Sequence, residues 1–296
     1  MTIGDWLTRN RMEIPEGEAI LLLSFVLRRD KSSLIAHPEH AISKEQGTRL
    51  ENCVERRKKH EPFSYITGEK EFFGLPFFVT PATLIPRPET EILVEQVLKR
   101  ISKREYRILK EGVSLIDIGT GSGCIPVSIL ATLHANNSEM LPHIQCLATD
   151  VSLQALAVAK RNAEHHGVAP RINFKEGDLL SDIPESYFRT HSLIITANLP
   201  YLSKEIYDTS PEDVRLYEPQ SALQGDHHDG TTLIKELLKQ CQQKISLQSP
   251  FLIILEISPE QDTFLLGYGK GLFPQSNVHL LLDLSGRNRF LIIENN

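Results

Sequence analysis

From Pro88 to the end of the chain, short apolar runs alternate with segments of helical periodicity, and this alternation limits the fold more than any other feature. The runs are Val113–Ile118 (VSLIDI), His143–Asp150 (HIQCLATD), Arg171–Lys175, Ser192–Ala197 (SLIITA), Phe251–Ile257 (FLIILEI), Val278–Leu284 and Phe290–Ile293. None alternates cleanly between apolar and polar residues, as expected of strands covered by helices on both faces. Between them the spacing predicts helices over Glu89–Arg104, Gly123–His134, Leu153–His166 and Gly230–Leu247, the third closed by Gly167. Such alternation builds a doubly wound α/β sheet. Ser285–Asn288 is a short glycine-containing link that suits a hairpin, so the sheet is expected to be mixed, with one antiparallel strand.

Upstream the character differs. Gly4–Arg11, Glu16–Leu27 and Ser43–Lys59 carry apolar residues at helical spacing, and Ser43 with Gln46 has the form of a capping box. Phe72–Ile85 is aromatic and β-branched and is broken by Gly74, Pro76 and Pro81, the pattern of a short pair of edge strands. Its phenylalanines, Phe72, Phe73, Phe77 and Phe78, are expected to form core at the junction. We therefore expect a small all-α domain over 1–71, a β-hairpin junction over 72–87 and the sheet domain over 88–296.

A chain of 296 residues suits two domains. Its net charge of -6 argues against nucleic-acid binding by bulk electrostatics. Residues 1–75 hold twelve basic and twelve acidic side chains, so the acidic excess falls on the sheet domain and the helical part is neutral. The basic run Arg56–Lys59 ends a helix, where it suits the macrodipole or an acidic partner surface. Cys53, Cys124, Cys146 and Cys241 lie far apart without a CxxC pair, which points to buried free thiols in a reducing, cytoplasmic setting. The apolar run Ala19–Leu27 is too short to span a bilayer and lacks the form of a signal peptide. His165–His166 and His227–His228–Asp229 have no metal-ligand spacing and are expected to be exposed histidines, with no metal.

Asp117-Ile118-Gly119-Thr120-Gly121-Ser122-Gly123 follows a strand and opens a helix. Glycines there let the backbone pass close to a ligand and turn sharply. The next strand ends in Asp150, whose carboxylate suits the two hydroxyls of a ribose. The following one leads to Asp178 and Leu179, placed to meet an adenine. A nicotinamide enzyme and an S-adenosylmethionine enzyme share this much. Asp117 distinguishes them, because a carboxylate orients an ammonium but is misplaced beside a pyrophosphate.

SLIITA runs directly into Asn198-Leu199-Pro200-Tyr201. An amide nitrogen or exocyclic amine is a poor nucleophile, because its lone pair is delocalised. The Asn198 side-chain oxygen and the Leu199 carbonyl can each accept one N–H of such a group, fixing the nitrogen toward a methyl donor. Pro200 stiffens the turn, and Tyr201 offers a ring to a flat amide or base.

With these motifs the sequence resembles the peptide chain release factor glutamine methyltransferases. The diagnostic stretch runs from Pro62-Phe63-Ser64-Tyr65-Ile66-Thr67-Gly68 through Phe72-Phe73-Gly74-Leu75 to Leu84-Ile85-Pro86-Arg87-Pro88-Glu89-Thr90-Glu91. The glycine loop, Asp150, the Asn198 turn, Tyr217-Glu218-Pro219, Glu256 and Asp283–Arg289 follow in the family order. The resemblance implies a class I, Rossmann-like methyltransferase sheet preceded by a helical domain that chooses the substrate. It implies transfer of a methyl group from S-adenosylmethionine to the side-chain amide nitrogen (N5) of the glutamine in the Gly-Gly-Gln motif of class I release factors. S-adenosylhomocysteine is the product, and translation termination is modulated. Asn198 and Tyr201, with Leu199 and Pro200, would hold the glutamine. Asp117, Gly119, Thr120, Gly121, Ser122, Gly123, Asp150, Asp178 and Leu179 would serve the cofactor, with Asn198 counted in both sets. Arg87 would lie at the mouth of the site or pair with Glu89 or Glu91. A monomer is expected, with no direct nucleic-acid or membrane contact.

Two positions depart from the family pattern. Leu199 stands where a proline is usual, and Asn-Leu-Pro-Tyr is the form typical of ribosomal RNA adenine dimethyltransferases. A nucleic-acid adenine N6-methyltransferase is therefore the alternative. Ser258 stands where a glycine is expected after Glu256.

Overall fold

The computed structural model describes residues 1–103, 105–190, 192–226 and 228–295, with the backbone alone of Glu105 and Tyr106. Arg104, at the end of an expected helix, and His227 lie outside the described residues. The chain forms two compact units, one of Met1–Glu69 with Pro211–Tyr217, the other of Lys70–Ser210 with Glu218–Asn296.

The first unit contains α1 (Ile3–Asn10), α2 (Glu16–Leu27), α3 (Lys31–Ala36), α4 (Lys44–Lys58) and α5 (Phe63–Thr67). Helices α1 and α4 start at capping boxes, Thr2 with Asp5 and Ser43 with Gln46, each satisfying backbone N–H groups that would otherwise be orphaned. The core gathers Trp6, Leu22, Leu23, Leu34, Leu50 and Val54. The two short helices α3 and α5 were not expected; Asp30 caps α3, and Pro62 opens α5. Three of the four residues in the basic run at the end of α4 are spent internally. Arg56 pairs with Glu61 at 2.6 Å, Arg57 with Glu18 at 2.7 Å and Lys58 with Glu13 at 2.6 Å. In the inserted segment the Tyr217 hydroxyl donates to the Lys59 carbonyl at 2.6 Å.

The second unit opens with a hairpin, β1 (Glu69–Phe72) and β2 (Leu75–Phe78). It sits earlier than the expected strand pair, because Phe73 and Gly74 both take positive φ and make a two-residue turn. Phe72 and Phe77 are buried against each other. Then follow α6 (Glu91–Lys103), α7 (Glu105–Glu111), β3 (Val113–Ile118), α8 (Cys124–Asn136), β4 (Ile144–Asp150), α9 (Leu153–His165), β5 (Ile172–Glu176) and β6 (Leu193–Ala197). The chain continues through α10 (Lys204–Asp208), α11 (Glu212–Tyr217, part of the first unit), α12 (Thr232–Lys244), β7 (Phe251–Glu256), α13 (Asp262–Leu272), β8 (Asn277–Leu282) and β9 (Asn288–Asn295).

The seven strands order as β5-β4-β3-β6-β7-β9-β8. All pairings from β5 to β7 are parallel, and β9 runs antiparallel to both neighbours, as the hairpin link implied. Every residue of β3, β6 and β7 is buried. Alternate residues of β3 enter opposite layers, Val113 and Leu115 with α6 and α8, Ile116 and Ile118 with α12. The strand order reverses between β3 and β6, which opens a crevice at their carboxyl ends. All four cysteines are free and buried. His166 departs from expectation: it is half-buried against Phe77, with Nε2 2.7 Å from the Pro76 carbonyl oxygen.

Candidate active site

A cavity of about 360 Å³ lies at that crevice. Its wall includes Gly119, Thr120, Gly121 and Ser122 from the loop after β3, Asp150 after β4, Asp178 and Leu179 after β5, and Asn198, Leu199 and Pro200 after β6. Pro86, Arg87 and Thr90 close another side. Sequence-distant loops thus meet in one place, as the reversal of strand order requires. Asp117, Gly123 and Tyr201 are not on this wall.

The glycine loop is tied down at several points. Thr120 N–H donates to the Thr149 carbonyl at 2.8 Å, and Gly121 N–H donates to Asp150 Oδ2 at 2.9 Å. Asn162 Nδ2 donates to the Ser122 carbonyl at 2.8 Å and to the Phe78 carbonyl at 3.0 Å, which binds the loop to the hairpin. Gly119 has φ +67°, and a Cβ there would lie 3.0 Å from Leu199 Cδ2. A side chain at 119 would therefore be strained and would push on the Asn198 turn.

Asp117 lies beneath the loop, fully buried. Thr196 Oγ1 donates to its Oδ1 at 2.6 Å, and the Thr120 side chain also hydrogen-bonds its carboxylate. Burial pushes its carboxyl up to about 7. Asp117 therefore does not reach the cavity wall, as an ammonium-orienting group on that wall would. Asp150 accepts Gly121 N–H and Ser152 N–H, one on each oxygen, and each oxygen keeps a second lone pair for a hydroxyl donor. Leu179 holds φ +50°, a left-handed conformation that costs on the order of 1 kcal/mol or more, and such outliers concentrate at ligand sites.

The Asn198 turn is clamped from behind. Asn198 Nδ2 donates to Thr90 Oγ1 at 3.2 Å. Thr90 Oγ1 donates to Glu256 Oε2 at 2.6 Å, and the Tyr201 hydroxyl donates to Glu256 Oε1 at 3.1 Å. Burial raises the Glu256 carboxyl above its ordinary range. Burial, followed by the neighbouring Glu256, likewise raises the Tyr201 phenol. Gln261 Nε2 donates to the Tyr201 carbonyl at 2.8 Å and to the Asp229 carbonyl at 2.6 Å. Arg87 pairs with neither Glu89 nor Glu91. Its partner is the buried Glu218 at 2.6 Å, whose other oxygen accepts Ile85 N–H at 3.0 Å. Glu91 instead accepts Phe73 N–H at 2.9 Å. Gln261 was not singled out from sequence, and Thr90, Glu218 and Glu256 entered only through the resemblance.

Several features bear on which group the cavity takes. Its volume is in the range of small-molecule sites, ~300–1,000 Å³. The Gly121 N–H that a pyrophosphate would use is already given to Asp150. An adenosyl group with a charged amino-acid tail fits these residues better than a dinucleotide.

Known proteins resemble the chain in sequence and in fold. A model described as the PrmC N-terminal domain matches residues 5–68, and one described as a methyltransferase domain matches residues 109–247. A release factor glutamine methyltransferase of Rhodopirellula baltica is 32% identical over 98% of this chain and 93% of its own. That of Bacillus anthracis is 30% identical over 98% and 96%, and that of Escherichia coli 35% identical over 71% and 69%. The crystal structure of the hMettl16 catalytic domain in complex with MAT2A 3'UTR hairpin 6 superposes with a TM-score of 0.53 over 85% of this chain and 82% of that one. At 17% identity it shows the shared fold. By its full-length similarity to these relatives, the chain belongs to the release factor glutamine methyltransferase family.

Proposed function

We propose that the protein transfers a methyl group from S-adenosylmethionine to the side-chain amide nitrogen of the glutamine in the Gly-Gly-Gln motif of class I release factors. The observation that carries this reading is the meeting of Asn198 with the Gly119–Gly121 loop on one cavity wall. The chemistry S-adenosylmethionine supplies when bound is a methyl group activated by its sulfonium. Asp150, Asp178, Leu179 and the glycine loop, Thr120 included, would hold it, with the buried Asp117 beneath the loop.

Asn198 Oδ1 and the Leu199 carbonyl each accept one N–H of the glutamine amide. Both hydrogen bonds draw the two N–H groups into the wall and leave the nitrogen lone pair facing the cavity. The amide proton lost on methylation leaves to solvent. Leucine at 199 can fill this role, because the group used is a backbone carbonyl. Tyr201 acts through its anchor on Glu256, holding the turn. The adenine N6-methyltransferase reading is not favoured, since the full-length relatives are release factor glutamine methyltransferases.

Within this reading, the helical unit selects the release factor, and the enzyme works as a cytoplasmic monomer without nucleic-acid contact. Among the described residues, no helix is long and apolar enough to cross a membrane. The test is incubation with a purified class I release factor and methyl-labelled S-adenosylmethionine, followed by peptide mapping. Label is expected on the Gly-Gly-Gln peptide. A preparation that binds S-adenosylhomocysteine yet leaves that peptide unlabelled would refute the proposal.

A further inference from the structure

Asn198 can contribute an acceptor to the cavity only if its amide is turned the right way. Rotated by half a turn about its last side-chain bond, it presents an NH₂ instead, which would repel the N–H groups of a substrate amide. The backbone does not decide between these two states. The hydrogen bonds behind the side chain do.

Thr90, 2% exposed, stands immediately before α6, and its hydroxyl has one proton. That proton goes to Glu256 Oε2 at 2.6 Å, the shorter of its two contacts. Glu256 lies at the end of β7, 2% exposed, and in its ionised form, the form that accepts both the Thr90 and the Tyr201 hydroxyls, it has no proton to donate. Thr90 Oγ1 therefore has only a lone pair left for Asn198, and only the Asn198 NH₂ can use it, at 3.2 Å. The other Glu256 oxygen takes the Tyr201 hydroxyl, so one buried carboxylate anchors both ends of the Asn-Leu-Pro-Tyr turn.

We propose that Thr90 is a positioning residue that, oriented by Glu256, locks the Asn198 amide with its oxygen toward the cavity and so makes the site a receptor for an NH₂ group. This deepens the methylation reading above and rests on it for its kinetic consequence, while the locked amide itself can be observed without turnover.

The experiment has two arms. In the ¹⁵N–¹H spectrum of the whole protein, the Asn198 side-chain NH₂ pair is assigned by its disappearance in Asn198→Asp. In the wild type, its exchange with water should be at least about tenfold slower than that of exposed asparagines, and Thr90→Val should abolish this protection. Exchange as fast as that of exposed asparagines in the wild type overturns the proposal, whether or not any release factor is methylated. In the kinetic arm, Thr90→Val should lower kcat at least about tenfold with KM for the release factor changed less than about threefold. Affinity for S-adenosylhomocysteine should stay within about twofold, and Thr90→Ser, which keeps the hydroxyl, should recover most of kcat. Equal losses in the serine and valine variants, or wild-type kcat in a folded Thr90→Val, would overturn it. If Thr90→Val does not fold, the wild-type exchange measurement and Thr90→Ser still decide.

Discussion

Gly230 lies so close to the carbonyl of Tyr201 that no side chain fits between them. A Cβ there would overlap the Tyr201 oxygen and stand 2.7 Å from the carbonyl carbon, and Gly230 has φ +72° besides. Gly225 approaches the Pro200 carbonyl oxygen in the same way, at 2.5 Å from its own Cβ position. Gly225 and Gly230, with Asp226 accepting the N–H groups of His228, Gly230 and Thr232, thus form a backbone wedge behind the Asn198 turn. Gly230→Ala is expected to destabilise the protein by about 2–4 kcal/mol, through a strained φ and an overpacked contact. It should also displace the turn and depress turnover. Urea denaturation together with kcat checks this, and a variant unchanged in both would contradict the wedge.

Asp150 has two tasks, and one substitution removes both. Its carboxylate holds the glycine loop through Gly121 N–H, and its free lone pairs are assigned to the ribose hydroxyls. Charge-assisted hydrogen bonds contribute ~1.5–3 kcal/mol each. Asp150→Ala should therefore weaken S-adenosylhomocysteine binding at least about thirtyfold by calorimetry. An unchanged dissociation constant would remove Asp150 from the cofactor site.

What the sequence revealed and what it concealed divide along a physical line. Strands β3, β6 and β7 are buried at every residue, so their apolar runs stand out locally. The glycine loop and the Asn198 turn are contiguous and fall at strand ends, where topology alone puts ligands. Helix α13 was missed because Gly267, Gly269 and Gly271 dilute its pattern, yet one of these glycines has a packing reason. A Cβ on Gly269 would lie 3.1 Å from Val278 Cγ1, so its absence brings the helix close to β8. Thr90 and Gln261 were missed as site residues because their partners are far away in the chain. Asn198 is 108 residues from Thr90, and no local pattern encodes such a pairing. The partner of Arg87 was misjudged for the same reason: Glu89 and Glu91 are near in sequence, but Glu218 is 131 residues away.

That ion pair yields a stability prediction. The Glu218 side chain is 1% exposed and that of Arg87 31%. Removing one partner of a fully buried pair costs ~3–5 kcal/mol, and the partial exposure of Arg87 lets water recover some of this. Arg87→Ala is expected to cost about 2–3 kcal/mol in urea denaturation, because a buried carboxylate keeps only the Ile85 N–H. Adding Glu218→Gln should restore part of the loss by removing the stranded charge. A double variant less stable than Arg87→Ala alone would show that the charge on Glu218 has another use.

Asp117 makes the stability of the fold depend on pH. In the folded protein it keeps its proton up to about pH 7, whereas its ordinary value is 3.8, and burial is the main cause. Across that window the folded state binds more protons than the unfolded chain, so stability falls as pH rises. The decline starts near pH 4 and is complete once pH passes about 7. At ~1.4 kcal/mol per unit the total is on the order of 4 kcal/mol. Glu256, whose carboxyl is also raised by burial, adds a slope of the same sign. Asp117→Asn abolishes the Asp117 part alone and keeps an acceptor for the Thr196 hydroxyl. The variant should therefore gain on the wild type between pH 5 and pH 8 when the two are compared by urea denaturation. A wild type and variant whose difference in stability is the same at both pH values would mean that Asp117 is ionised in the folded protein throughout.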